Sequence, residues 1–237
     1  MSSAKPRLRL WEWAGIAFIL LVGAGLLMPM LGRSREGSLR ASCAGNLKQL
    51  GLVLKMYANE SKGERLPPLS PIPNNWIFDM RAVYPEYLTD LRVLECPSSP
   101  LQMHFRQPEC VSSLYYIYTG YSIFSDEQAL ALFEAYHRLP FAVFSSSSLT
   151  LPVPVWANSS RPDSAGSHTI PVMWDRVPLD QSQFAHVPYG CNVLHLDGHV
   201  QFVRYSYYNN SDYFPVTRLS AETFGSVIPQ MPFHCYE

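Results

Sequence analysis

Charge is scarce in this chain, and what there is cancels. Lys and Arg number 18 and Asp and Glu 19 among 237 residues, so 16% of side chains are charged and the net charge is −1. That balance leaves no basic face for a phosphate backbone, and nucleic acid is not an expected partner. The usual loops of catalysis are missing too. There is no Gly-rich phosphate loop and no zinc-protease pattern, and the serine run Ser145–Ser148 lacks the glycines of a nucleophile elbow. Carboxylates such as Asp163, Asp175 and Asp180 are scattered. Asp175, between Trp174 and Arg176, reads as a solvated strand end. No segment repeats, and an enzyme is not expected.

What the chain has instead is an apolar run near its start. From Trp13 to Leu31 no residue is charged, and the run is close to the about 20 residues a helix needs to cross a bilayer's hydrocarbon core. Both flanks are basic, with Lys5, Arg7 and Arg9 before it and Arg33, Arg35 and Arg40 after it. Flanking charge therefore says little about orientation. Almost all the foldable chain follows the run, which argues for an N-terminus in the cytoplasm and a domain outside. A cleaved secretory signal would have a shorter apolar core and a small-residue cleavage site. Here Leu26, Leu27 and Met28 carry the run past Ala24 and Gly25. Glu12 lies between Trp11 and Trp13, and tryptophan gathers at the membrane–water boundary, where a carboxylate needs no partner.

Beyond the run the apolar residues take a helical period. Leu39, Cys43, Leu47, Leu50, Leu54 and Tyr57 recur at spacings of three and four and make one stripe. Gly51 costs such a helix about 1 kcal/mol, too little to break a packed segment. Lys62-Gly63 and then Pro67-Pro68 end it. The expected organisation is a basic segment at 1–12, a transmembrane helix at 13–31, its amphipathic continuation at 32–62 and an extracytoplasmic globular domain at 63–237.

Within that domain, Ser112 to Ser122 reads as a strand and Asp126 to Arg138 as a helix capped by Ser125 and Asp126. Phe141 to Val155 reads as an irregular connector. Asn192–Leu196 and His199–Val203 alternate around Asp197-Gly198, a pair suited to a two-residue type I′ hairpin turn. That turn would put His195 and His199 on opposite faces, so His195, Asp197 and His199 are not expected to share an ion. His186 is expected to fold over the hairpin as a structural contact. The five cysteines suit an oxidising compartment. Cys96 with Cys110, and Cys191 with Cys235, are the expected pairs, though spacing alone leaves other connectivities open; Cys43 is the expected leftover, buried on the helix.

Several of these segments resemble a known family. The approach from Glu12 to Pro29, then Leu31-Gly-Arg-Ser-Arg-Glu and Ala41-Ser-Cys-Ala-Gly-Asn-Leu-Lys-Gln-Leu-Gly-Leu, is similar to the N-terminus of prepilin-type proteins of type II secretion and type IV pilus systems. Tyr84-Pro-Glu-Tyr-Leu, Leu94-Glu-Cys-Pro-Ser and Asn192-Val-Leu-His-Leu-Asp-Gly-His-Val resemble the pilin-like proteins that carry a C-terminal His and Asp-Gly signature, here His186, Asp197 and Gly198. Ten residues separate His186 from Asp197, one more than that family's usual nine.

The resemblance implies an α+β fold, a long N-terminal transmembrane helix continuing into the ectodomain and packed on a small antiparallel sheet. It implies a bacterial inner-membrane protein, a pseudopilin-like structural or accessory subunit, whose partners are membrane lipid and other pilin-like subunits. In that family a processed N-terminus lies four residues before the glutamate, which here makes Leu8 the first mature residue and Arg7 its predecessor, where a small residue is usual. Retention of the leader implies the alternative, a non-polymerising tethered exodomain that binds an envelope or polysaccharide partner. Some secretion pseudopilins hold calcium near the C-terminus; Asp197, Asp212 and nearby carbonyls are the donors a comparable site would use. No other cofactor is expected.

Overall fold

In the computed structural model the described residues are 9–61, 65–101, 103–139, 167–187, 189–205 and 214–236, with residues 10, 26–31, 33, 233 and 236 described through their backbone alone. The chain divides into two compact units, Met1–Leu39 and Arg40–Glu237. The first helix, α1 (Leu10–Glu60), contributes to both.

In the first unit α1 begins with a reciprocal cap. The Arg9 amide donates to Glu12 Oε2 at 2.7 Å while the Glu12 amide donates to the Arg9 carbonyl at 2.9 Å. A glutamate at the third helical position is well placed to satisfy an otherwise orphaned N–H. Along this stretch large apolar side chains face outward, among them Trp11 at 68%, Phe18 at 68% and Leu21 at 74% exposure. Among the described residues no helix is long and apolar enough to cross a membrane. Residues 26–31, the end of the apolar run, have no described side chains.

The second unit is α+β. Its sheet is a four-stranded antiparallel meander in the order β1 (Tyr116–Tyr118), β2 (Pro171–Asp175), β3 (Gly190–His195), β4 (Val200–Arg204). β1, β2 and most of β3 are buried, so the alternation of a half-exposed strand is absent there. The helical stripe is buried as expected at Cys43, Leu47, Leu50 and Leu54, with Val53 and Ala58 joining it. Gly51 lies against β3: a Cβ there would meet Leu194 Cδ1 at 3.0 Å, so the residue that weakens the helix also lets it approach the sheet.

An aromatic cluster holds the rest. Trp76 packs on Phe133 and Tyr136 of α3 (Asp126–His137) and on Phe224, which also contacts Trp174 of β2. The Ser125 hydroxyl accepts from the Gln128 amide, the expected cap of α3. Two short helices, α2 (Met80–Val83) and α4 (Arg218–Ser220), complete the described α-helices, and a single π-helical turn, Ala221–Gly225, follows α4. The strand expected over Ser112–Ser122 is shortened to β1, and the expected connector at 141–155 lies outside the described residues.

Candidate functional site

Three buried polar side chains meet where β2 ends and β3 begins. Asp175 is the last residue of β2, Asn192 sits inside β3, and His186 makes an isolated bridge to Gly190 at the mouth of β3. Their exposures are 1%, 2% and 0%. Asp175 Oδ2 accepts from the Asn192 amide at 2.6 Å and from Asn192 Nδ2 at 2.9 Å, and His186 Nε2 lies 3.1 Å from it. Asn192 Nδ2 also lies 3.2 Å from His186 Nε2. The same nitrogen is 3.8 Å from Cys96 Sγ. His186 lies against β3 at Asn192 and Gly190. The expectation of a solvated Asp175 is overturned: it is interior, because β2 is covered on both faces and its final residue never reaches solvent.

The cysteine pairing is also corrected. The disulfides are Cys43–Cys96 and Cys110–Cys235, each with Cα atoms 5.3 Å apart, and Cys191 is the free thiol. The expected Cys96–Cys110 and Cys191–Cys235 pairs fail because packing, not proximity in sequence, sets the partners. α1 presents Cys43 to the Cys96 segment, where Asn46 Nδ2 also donates to the Glu95 carbonyl at 2.9 Å. Cys191 is enclosed in β3; burial pushes its thiol well up, and the Asp175 charge adds to this. Burial, then Asp175, likewise raises the phenol of Tyr116, the cross-strand partner of Asp175.

The hairpin of β3 and β4 forms, but with a different turn. The Gly198 amide donates to the His195 carbonyl at 2.8 Å, and the His195 amide to the His199 carbonyl at 2.9 Å. Leu194 pairs with Val200, and of the turn residues only Gly198 has positive φ, at 96°. This is a three-residue loop with glycine in the bulge position, not a two-residue type I′ turn. The shift brings His195 opposite His199 on one face, where their rings stack with centroids 4.2 Å apart and planes 5° from parallel. The expected separation of the two histidines is therefore overturned. Burial, then His199, pushes His195 down to about 4, with Asp197 opposing.

Asp197 is tied on both sides. Its Oδ1 accepts from the His199 amide at 3.0 Å and lies 2.7 Å from His199 Nδ1, while its carbonyl accepts from Lys55 Nζ of α1. Burial works to raise the Asp197 carboxyl, and the His199 contacts more than offset it and hold it low. Asp212, the other expected calcium donor, lies outside the described residues. Cys43, Cys96 and His186 bring ligand-type atoms within 4.8 Å of one another, as do Cys110, His234 and Cys235. In both sets the disulfides remove the thiolates a soft metal would bind.

Of the remaining expected residues, Glu12 is the cap of α1 and Pro29 lies within that helix, its side chain outside the described residues. The expected cleavage point at Arg7 and Leu8 also lies outside them. His186, Asp197 and Gly198 belong to one hairpin region, with His186 at the base of β3 and the Asp-Gly turn at its far end. Sequence reasoning missed Asn192, Lys55 and the Cys43–Cys96 link. Asn192 was the accessible one, since an amide inside an apolar strand signals a buried partner.

No protein-family model matches this chain, and no curated protein or solved structure matches it either.

Proposed function

We propose that the chain is a membrane-anchored, pilin-like subunit of a type II secretion or type IV pilus-like system. In this reading it crosses the inner membrane once, with its N-terminus in the cytoplasm and the α+β domain outside. The observation that carries the reading is the single helix α1. It runs unbroken from Leu10 to Glu60, with apolar side chains facing outward near its start and Cys43, Leu47, Leu50 and Leu54 buried in the domain farther on. Outward-facing apolar surface of that extent marks a surface for lipid or for a neighbouring helix. The uncharged run from Trp13 to Leu31 has the length for a span. The two disulfides fit an oxidising compartment. The role is structural or accessory, and the partners are lipid and other subunits of similar build.

A second reading, a non-polymerising tether that keeps its leader and binds an envelope partner, is favoured by two observations. Arg7 stands where a small residue is usual before the cut. Glu12 already accepts a hydrogen bond from the Arg9 amide at its own helix start, so its carboxylate is engaged without a partner from another subunit.

The test is alkaline extraction of native membranes, then intact-mass and N-terminal analysis of the retained protein. Retention with a start at Leu8 supports the polymerising subunit. Retention with a start at Met1 or Ser2 supports the tether. Release into the soluble fraction at full length would sink both.

A further inference from the structure

A cavity of about 520 Å³ opens beside the C-terminal end of β2, next to the Asp175 cluster, with Cys96 and Ala185 in its wall. Its size falls in the range of small-molecule sites, about 300–1,000 Å³. Leu101, Leu114, Leu179 and Ile228 supply apolar wall, Gln183 contributes an amide, and Asp180 contributes a carboxylate whose Oδ1 is already engaged by the Ser182 amide at 2.9 Å. Leu101, Leu179 and Ile228 are exposed although large and apolar. Arg176 forms part of the same wall.

Arg176 is the unusual element. It follows Asp175, but that carboxylate is committed to Asn192 and His186. Its side chain is more than half buried, and Nε donates to the Gly225 carbonyl at 2.6 Å. Among the described residues no carboxylate pairs with it, and burial alone lowers its affinity for a proton. A guanidinium sheltered from water normally has an anion beside it. Its two remaining nitrogens form the fork that binds a carboxylate through parallel hydrogen bonds.

The Gly225 carbonyl is held in place by the backbone. Gly225 closes the π-helical turn Ala221–Gly225, and a Cβ there would lie 1.9 Å from the Val177 carbonyl oxygen. Only glycine permits that approach. Single π-helical turns recur at functional sites, and this one fixes the orientation of Arg176, the one cation among the described residues of the cavity wall.

We infer that this cavity binds a small organic acid with an apolar body, its carboxylate on Arg176 and its body against Leu101, Leu179 and Ile228. The inference is independent of how α1 is used and holds for either reading of the protein's role.

The test uses the full chain in lipid nanodiscs, with empty nanodiscs subtracted. Phenylbutyrate is titrated calorimetrically against its neutral amide, which has the same body and no charge. The expected result is saturable binding of the acid, about tenfold tighter than the amide or more. Arg176→Met, which keeps the length and removes the charge, erases that preference. Ile228→Asp changes an exposed residue at the rim and leaves the fold intact; it weakens the acid several-fold by like-charge repulsion and the amide much less. Equal binding of acid and amide, no saturable binding of the acid, or an acid preference that survives both substitutions would each overturn the inference.

Discussion

The imidazoles of His195 and His199 stack face to face across the hairpin, with 4.2 Å between ring centroids. Two such rings cannot both charge without repulsion, and burial already disfavours the charged form of His195. Its pKa in the folded protein is about 4, below the ordinary 6.5 of the unfolded chain. Between those values the unfolded state binds more protons, so stability rises with pH there. The contribution is complete above the unfolded value and is lost as pH falls from about 6.5 toward about 4. Denaturation midpoints measured across that window in one buffer ionic strength should fall on acidification. His195→Phe, which keeps an aromatic ring against His199, should flatten the slope. An unchanged slope in that variant would assign the acid sensitivity elsewhere.

Asp175 is the hub of the buried cluster. Removing it leaves two Asn192 donors without their acceptor and takes away the group 3.1 Å from the His186 ring. Asp175→Ala is expected to cost about 3 kcal/mol or more, as for other broken buried pairs. A double-mutant cycle with His186→Leu should give a coupling above about 0.5 kcal/mol, since the two side chains touch. Chemical denaturation in a fixed detergent measures both, and additive losses would argue against the pairing.

The disulfide connectivity can be read directly. A non-reducing digest should contain linked peptides bearing Cys43 with Cys96 and Cys110 with Cys235, while Cys191 reacts with alkylating agent only after unfolding. Cys43→Ser should lower stability by about 2–5 kcal/mol. Peptides joining Cys96 to Cys110 would refute this arrangement.

Gly198 carries the backbone strain of the turn. At φ 96° a side chain is poorly accommodated, and a Cβ would also press on Lys55 Nζ at 3.3 Å. Gly198→Ala is expected to cost about 1–3 kcal/mol. The same change at Gly45, where a Cβ meets nothing within 4 Å, should be neutral or slightly stabilising because alanine favours helix. Thermal melts of the two variants side by side separate turn strain from a general intolerance of substitution.

The helical period from Leu39 to Tyr57 was legible because a stripe at spacings of three and four has one physical solution, and Ser125 was legible as a cap because its hydroxyl acts locally. The hairpin was legible as a hairpin, yet not in its turn. Asp-Gly serves both the two-residue turn and the three-residue turn with a glycine bulge, and the choice decides which residues face each other. The His195–His199 stack turned on that single residue of register. Cysteine pairing was the least legible: Cys43 and Cys96 are 53 residues apart, and Cys110 and Cys235 are 125 apart. Such partners are set by how α1 packs and where the tail returns, which spacing does not encode. Asp175 was misread for a related reason. A charged residue at a strand end looks solvated until the strand is known to be covered on both faces.

The two disulfides have a mechanical consequence. Tension applied to α1 beyond Cys43 and to the C-terminus beyond Cys235 has a continuous covalent path, through Cys96, the short segment to Cys110, and the second bridge. The sheet and the aromatic cluster hang beside this path as side loops, so pulling the two ends apart transmits force around them and cannot unspool them while both bridges hold.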